Sequence, residues 1–325
     1  KDDPFELKYI IDNFVRNPEI GFVPTDSIVM TVDKAAVLRS GMKLPHGKDS
    51  IPDKMFISLR GKRILTKSEM MVYEMLAHHD WTRPLYMSTT LGGDNQAGLD
   101  NYLMLEGLAA RVTPFKLGDS GVDTERMYDN FMKKFRYGHI ADPKVYVDQT
   151  VMRTCYTHRM RFAQLAQQLI KEGKRDKALK ALEKCEQVLP QRQVPYEVWS
   201  LGIDSKTGLL MMPECYRELG KTKEAERILK AVADRSLAYF DWYNSFSESR
   251  LSSMSGDIMQ QYQILGMAID GLQKCKSPLA GVYIKRVDQL QRTTAGHVLI
   301  SAMNARRAAA AAPGNGGEDE GDGDF

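Results

Sequence analysis

No run of about 20 consecutive apolar residues, the length a membrane-spanning helix needs, occurs in these 325 residues. The longest apolar stretches are cut by Lys, Arg or Gln, so the chain as given is expected to be water-soluble. There is no initiator Met and no basic-then-apolar leader before Lys1-Asp2-Asp3-Pro4; the expectation is that the natural N-terminus, with any targeting signal, lies upstream. The four cysteines, Cys155, Cys185, Cys215 and Cys275, contain no C-x-x-C pair, which argues against a zinc ribbon or a thioredoxin-type site. All four fall in helical patterns and read as buried small apolar side chains.

Signatures of chemistry are equally sparse. No Gly-x-Ser-x-Gly elbow is present. The loop Gly92-Gly93-Asp94-Asn95-Gln96-Ala97-Gly98 lacks the Lys-Ser/Thr of a P-loop and the spacing of a dinucleotide fingerprint. His78-His79-Asp80 closes a helical pattern, but adjacent histidines on a helix point about 100° apart and cannot share a metal ion. Spacing singles out no pair among the 42 acidic residues. The expectation is no cofactor, no metal and no catalytic residue. The formal charge of +3 conceals an acidic end, Glu318 to Asp324, without which the body carries about +8. Its bases are scattered rather than gathered in a run, so no nucleic-acid partner is expected.

What is present is architecture. With 43% hydrophobic residues the chain is long enough for about two domains. Asp3 as N-cap, Pro4 and Glu6 predict a helix carrying Leu7, Ile10, Ile11 and Phe14 on one face. Strand-like runs follow at residues 27–32, 55–59, 84–89 and 108–115, with a capping box at Thr66 and Glu69 opening a helix to His79. Residues 41–54 and 91–101 read as loops, and 123–135 as a helix with Met127, Phe131 and Phe135 on one face. From Thr150 onward the pattern is helical.

The string Glu172-Gly173-Lys174-Arg175-Asp176-Lys177-Ala178 recurs as Leu219-Gly220-Lys221-Thr222-Lys223-Glu224-Ala225. Phe162, Leu165, Ala166, Gly173, Ala178, Leu182 and Pro190 stand at tetratricopeptide-like spacing, and Leu209, Tyr216, Gly220, Ala225 and Leu229 repeat it more loosely. The offset exceeds the usual length of about 34 residues; the insertion is residues 191–207, with Pro195, Trp199 and Gly202. A third pair is expected at 237–246 and 254–275, and a closing helix at 279–308. The fold class is thus α+β: a small α/β module over 1–120, then an α-helical tetratricopeptide-like superhelix over 121–308 with repeats near 159–190 and 206–237, then a flexible acidic tail over 309–325.

Two groups of side chains are binding candidates. By repeat position Gln167, Lys171, Glu214 and Arg217 point into the groove such stacks present, against the alternative of an ordinary solvated helix face. Trp81, Arg83 and Tyr86 stand at a strand entry, where aromatic-plus-Arg groups anchor a sugar ring or a partner, against the alternative of half-buried structural aromatics.

Local strings carry a resemblance: Asp3-Pro4-Phe5, Met55 to Lys62, Leu65 to Met70, Asp80 to Tyr86, Leu105 to Pro114, Asp123 to Asn130 and Lys134 to Gly138. Together they resemble the C-terminal region of a Bacteroidetes family of large multi-spanning membrane proteins, itself similar to the transmembrane type of animal protein O-mannosyltransferase, over most of residues 1–240. Ala110 departs from the larger aromatic expected there. The resemblance implies a polyprenyl-phosphate-sugar-dependent glycosyltransferase whose catalytic acids lie in a membrane half upstream, so no catalytic residue carries over. It further implies a periplasmic location, membrane contact through that upstream half, and an accessory role in holding an acceptor protein or partner. The alternatives left open are a purely structural scaffold and a sugar-active α/β part, which would need a cleft with converging carboxylates.

Overall fold

The computed structural model describes residues 5–17, 19–20, 22–92, 96–118, 121–196 and 210–311. Asp3, Pro4, Gly93 to Asn95, Trp199, Gly202 and the acidic tail lie outside the described residues. The chain divides into two compact units, residues 1–138 with 164–184 and residues 139–163 with 185–325. The class is α+β: among the described residues the sheets lie in the N-terminal part, and the elements after Lys134 are helices.

In the first unit, β1 (Phe5–Glu6) runs parallel to β2 (Ser27–Thr31), which pairs antiparallel with β3 (Lys54–Ser58). Alternation in Lys54–Ser58 puts Met55 and Ile57 in the core and Lys54, Phe56 and Ser58 outside, the period of two a one-sided sheet requires. The sequence-predicted first helix begins later than its cap signature implies. Phe5 and Glu6 are drawn into the sheet, and α1 (Leu7–Ile10) continues as a π turn through Val15, because ladder bonds to Ile28 and Val29 compete with the helical ones. A short α2 (Lys34–Arg39), capped by Asp33, stands where the sequence showed no helical periodicity.

The capping box of Thr66 and Glu69 is present and opens α3 (Lys67–Ala77). A second sheet has the order β4 (Tyr86–Ser88), β6 (Ala109–Val112), β5 (Leu103–Leu105); β5 escaped prediction because three residues are too few to show alternation. Then comes α4 (Thr124–Asp129), N-capped by Asp123 and prolonged by a π turn to Lys134. One apolar core joins Leu7, Ile28, Ile57, Tyr73, Leu99 and Met104 from both sheets and the intervening helices.

The helical region contains α5 (Gln149–Lys171), α6 (Arg175–Val188), α7 (Met211–Glu218) and α8 (Thr222–Tyr243). The recurring Gly-Lys strings fall at the α5–α6 and α7–α8 turns. Gly173 and Gly220 have φ of +75° and +77°, the left-handed conformation that ends helices and suits glycine. Each turn closes with the same helix-end bond back over five residues, Lys174 N to Leu169 O and Lys221 N to Tyr216 O. Repetition in sequence is therefore repetition of one local geometry.

Two expectations need correction. Residues 237–246 do not form their own helix: α8 runs unbroken to Tyr243, since no Gly or Pro interrupts it, and α9 (Glu248–Ser253) and α10 (Ser255–Lys274) follow. Residues 279–308 form two helices, α11 (Leu279–Leu290) and α12 (Thr294–Ala311). Thr293 separates them by donating to Leu290 O and accepting from Gly296 N, a side chain that bonds backbone and so favours a helix start. Cys155, Cys185 and Cys215 are buried and Cys275 half-buried, all as free thiols; burial pushes Cys185 and Cys215 up to about 12.

α8 packs along α10, and Gly271 is what permits the approach: a Cβ there would sit 2.7 Å from Leu229 Cδ2. Gly266 in the same helix has nothing within 4 Å of such an atom. Gly266→Ala is expected to stabilise the chain by about 1 kcal/mol through helix propensity. Gly271→Ala is expected to lose about 1 kcal/mol, because overpacking outweighs the same gain. Denaturant melts of the two variants give opposite signs.

Candidate functional site

Glu106 stands at the β5–β6 hairpin next to Gly107, whose φ of +148° suits glycine and whose missing Cβ would touch Phe135 Cζ at 3.1 Å. Backbone bonds Leu105 N to Gly121 O and Asp123 N to Leu105 O hold this hairpin beside the start of α4. The result is a polar pocket of about 560 Å³ walled by Tyr86 of β4, Glu106, and Asp123, Arg126, Asp129 and Asn130 of α4 and its extension.

Glu106 is the pocket's buried anion, 3% exposed, beside the equally buried Arg111 at 2%. Its Oε2 accepts the Tyr86 hydroxyl and lies 3.5 Å from Arg126 Nε; its Oε1 is 3.9 Å from Arg111 Nη1. Its main-chain oxygen accepts Asn130 Nδ2 at 2.7 Å. The two guanidiniums also donate to the turn after α2, Arg111 to Ser40 O and Arg126 to Gly41 O. Two charges held this far from water need such partners, because an unpaired one costs several kcal/mol.

Burial, and then the bond to Glu106, push the Tyr86 phenol above its ordinary pKa, so it remains a hydrogen-bond donor. Asp129 is held below the usual carboxylate range by Lys134 and Lys133. Glu125, at the start of α4, also lines the pocket; Lys174 and Lys177 grip it at 2.8 and 2.7 Å and lower it to about 2. Beside it, Glu172 feels burial first, which raises it, but bonds from Lys174 and Thr124 and the charge of Lys43 prevail and leave it lowered. Among the described residues no three His, Cys, Asp or Glu side chains are placed to hold a metal ion. The pocket offers fixed donors and acceptors, with its central carboxylate already engaged by Tyr86 and Arg126, which is the chemistry of holding a polar ligand.

The sequence candidates are distributed as follows. Tyr86, 40% exposed, is in this pocket. Arg83 is exposed on the strand approach. Trp81 is buried at 1% in a left-handed conformation, φ +62°, its ring edge-on to His79 with centroids 4.6 Å apart; it offers no surface. Gln167, half-buried, and Lys171, exposed, belong to the first unit, whereas Glu214 and Arg217, both half-buried, belong to the second. Glu214 and Arg217 share a crevice of about 10 Å³ closed by Gly271, Lys274 and Cys275, room for about one water.

Sequence reasoning missed Glu106, Arg111, Asp123, Arg126 and Asn130 as a group. A signal was available: Glu106 and Arg111 sit within the apolar strings Met104-Leu105 and Ala109-Ala110-Val112, where a charged residue is rarely buried unless paired.

Fold and pocket describe an α+β chain whose N-terminal sheets present a carboxylate–guanidinium pocket. Residues 2–130 match the family described as TMEM260-associated domain 2, a span that includes Tyr86, Glu106, Asp123, Arg126, Asp129 and Asn130. No curated relative and no solved structure matches the chain.

Glu106→Leu is expected to destabilise the chain by about 3–5 kcal/mol, since Arg111 would stay buried without its counter-charge. Glu106→Leu with Arg111→Met recovers much of that loss, a comparison that urea melts resolve. Glu125→Gln is expected to cost at most about 1 kcal/mol, its pair being largely exposed. A lowered folded pKa means the contribution is complete above the ordinary carboxylate pKa and vanishes as pH falls through about 2; melts of the two proteins across acid pH should converge there and also in high salt.

Proposed function

We propose that this chain is the periplasmic, accessory part of a membrane-embedded, glycosyltransferase-like protein and that it holds an acceptor protein or a partner subunit. The observation that carries the reading is the match of residues 2–130 to the TMEM260-associated domain. It falls on the strings that resemble the tails of membrane O-mannosyltransferases. The surroundings of Glu106 support a holding role over a catalytic one, as its side chain is committed to Tyr86 and Arg126. The tetratricopeptide-like reading of the two helix pairs belongs to the same proposal, with Gln167 and Lys171 as a contact face.

A second reading, a scaffold with no ligand of its own, is favoured by the crevice at Glu214 and Arg217. Residues of α10 close it almost completely, leaving no space for a partner's side chain.

The test uses the whole membrane protein in its own cells. Arg83→Glu and Lys171→Glu are exposed changes that leave the core intact. An accessory, acceptor-holding role is expected to show as roughly tenfold less glycosylation of secreted proteins in the double variant, with the protein at normal abundance. Unchanged glycosylation would favour the scaffold. The purified chain alone is expected to transfer no sugar from a polyprenyl-phosphate-linked donor, and turnover by it would defeat both readings.

A further inference from the structure

A second surface of the first unit has a different character from the Glu106 pocket. Between the loop that follows the π turn of α1 and the loop that joins β3 to α3 lies an open groove of about 580 Å³. Its floor is apolar, formed by Val15, Val23, Leu59 and Leu65. Phe22 and Ile64 stand on its two rims, 68% and 78% exposed, and because they line the same groove as that floor they extend one apolar surface rather than standing singly. Interleaved with them are Arg60, Lys62 and Arg63 against a single lining acid, Asp26.

Of the three basic residues, Arg60 and Arg63 keep their charge exposed. Lys62 answers the buried Glu69 of the capping box, and Arg60 reaches Asp26 at 3.4 Å while remaining 84% exposed. Arg63 is exposed and enters no ion pair among the described residues. Protruding apolar tips surrounded by Arg and Lys match a surface that is anionic outside and apolar a few ångströms within. A rigid protein partner would ask for its aromatic anchors in the floor of the groove, not on its rims.

We propose that this face docks on an anionic lipid bilayer, Phe22 and Ile64 entering the interface while Arg60 and Arg63 meet the headgroup phosphates. The surface stands independently of the acceptor-holding reading: it involves neither Arg83, Lys171 nor the Glu106 pocket, and a failure of either leaves the other intact. Membrane contact through these loops would lay the N-terminal sheets against the headgroups.

The full chain is sedimented with vesicles of mixed phosphatidylcholine and phosphatidylglycerol and with vesicles of phosphatidylcholine alone. Binding to the mixed vesicles that weakens with salt is expected. Phe22→Ser with Ile64→Ser should lower it about tenfold or more through lost apolar insertion. Arg60→Gln with Arg63→Gln should lower it by a similar factor through lost charge. Phe22→Trp should give a blue-shifted emission when mixed vesicles are added, which reads insertion directly. No sedimentation with mixed vesicles, or sedimentation that both double variants leave unchanged, would overturn the proposal. So would protection of Phe22→Trp by a soluble protein with no response to lipid, which would make this a protein-docking face.

Discussion

Around the first unit's second sheet one ion network ties the elements together, the buried Glu106 and Arg111 with the half-buried Arg126. The carboxylate sits on the β5–β6 hairpin, one guanidinium on the neighbouring strand and the other on α4. The guanidiniums in turn hold the turn after α2 through Ser40 and Gly41. A charged group without water restricts its neighbours more than an apolar one does, because each must present a donor or acceptor in one geometry. Four elements are thereby brought to a common point, and the pocket is the space left around it.

The second unit is organised on apolar packing and on a comparable device at smaller scale. Arg159 of α5, 5% exposed, donates to the carbonyls of Leu189, Val194 and Pro195 and lies over the Tyr196 ring at 4.8 Å. A guanidinium can satisfy several carbonyls at once because its donors fan out in one plane. The turn after α6 is thus fastened to a helix that precedes it. Further on, α8, α10 and α12 share the core around Phe240, Ile258 and Leu299.

Two surfaces of unlike character lie on the first unit: a polar pocket of fixed hydrogen-bonding groups around Glu106 and a groove where basic and apolar side chains alternate. The crevice at Glu214 and Arg217 is different again, a space of about 10 Å³ bordered by Gly271 and Lys274 of α10.

The elements legible in the sequence were those set by local rules. Thr66 and Glu69 announce a capped helix because the two bonds they exchange span only three residues. Gly173 and Gly220 announce helix turns because a left-handed residue is a property of one backbone position. The strands β2 and β3 were legible as short β-like runs, Ile28 to Met30 and Met55 to Ile57. Illegible were the elements whose cause is distant in sequence: Phe5–Glu6 joins a strand because Ile28 and Val29 offer it partners, and β5 exists because β6 does. The same division applies to the candidate sites. Tyr86 could be singled out from its neighbours, but its meeting with Glu106, twenty residues on, and with Arg126 beyond that, could not. Trp81, chosen for the same local reason, is buried beside His79. By itself the sequence determined the capped start of α3, the turn glycines and the mixed class, matters of bonding within a few residues. Only the tertiary structure decided which charges are buried together and which faces remain open, because burial is a property of what packs on a residue and not of the residue.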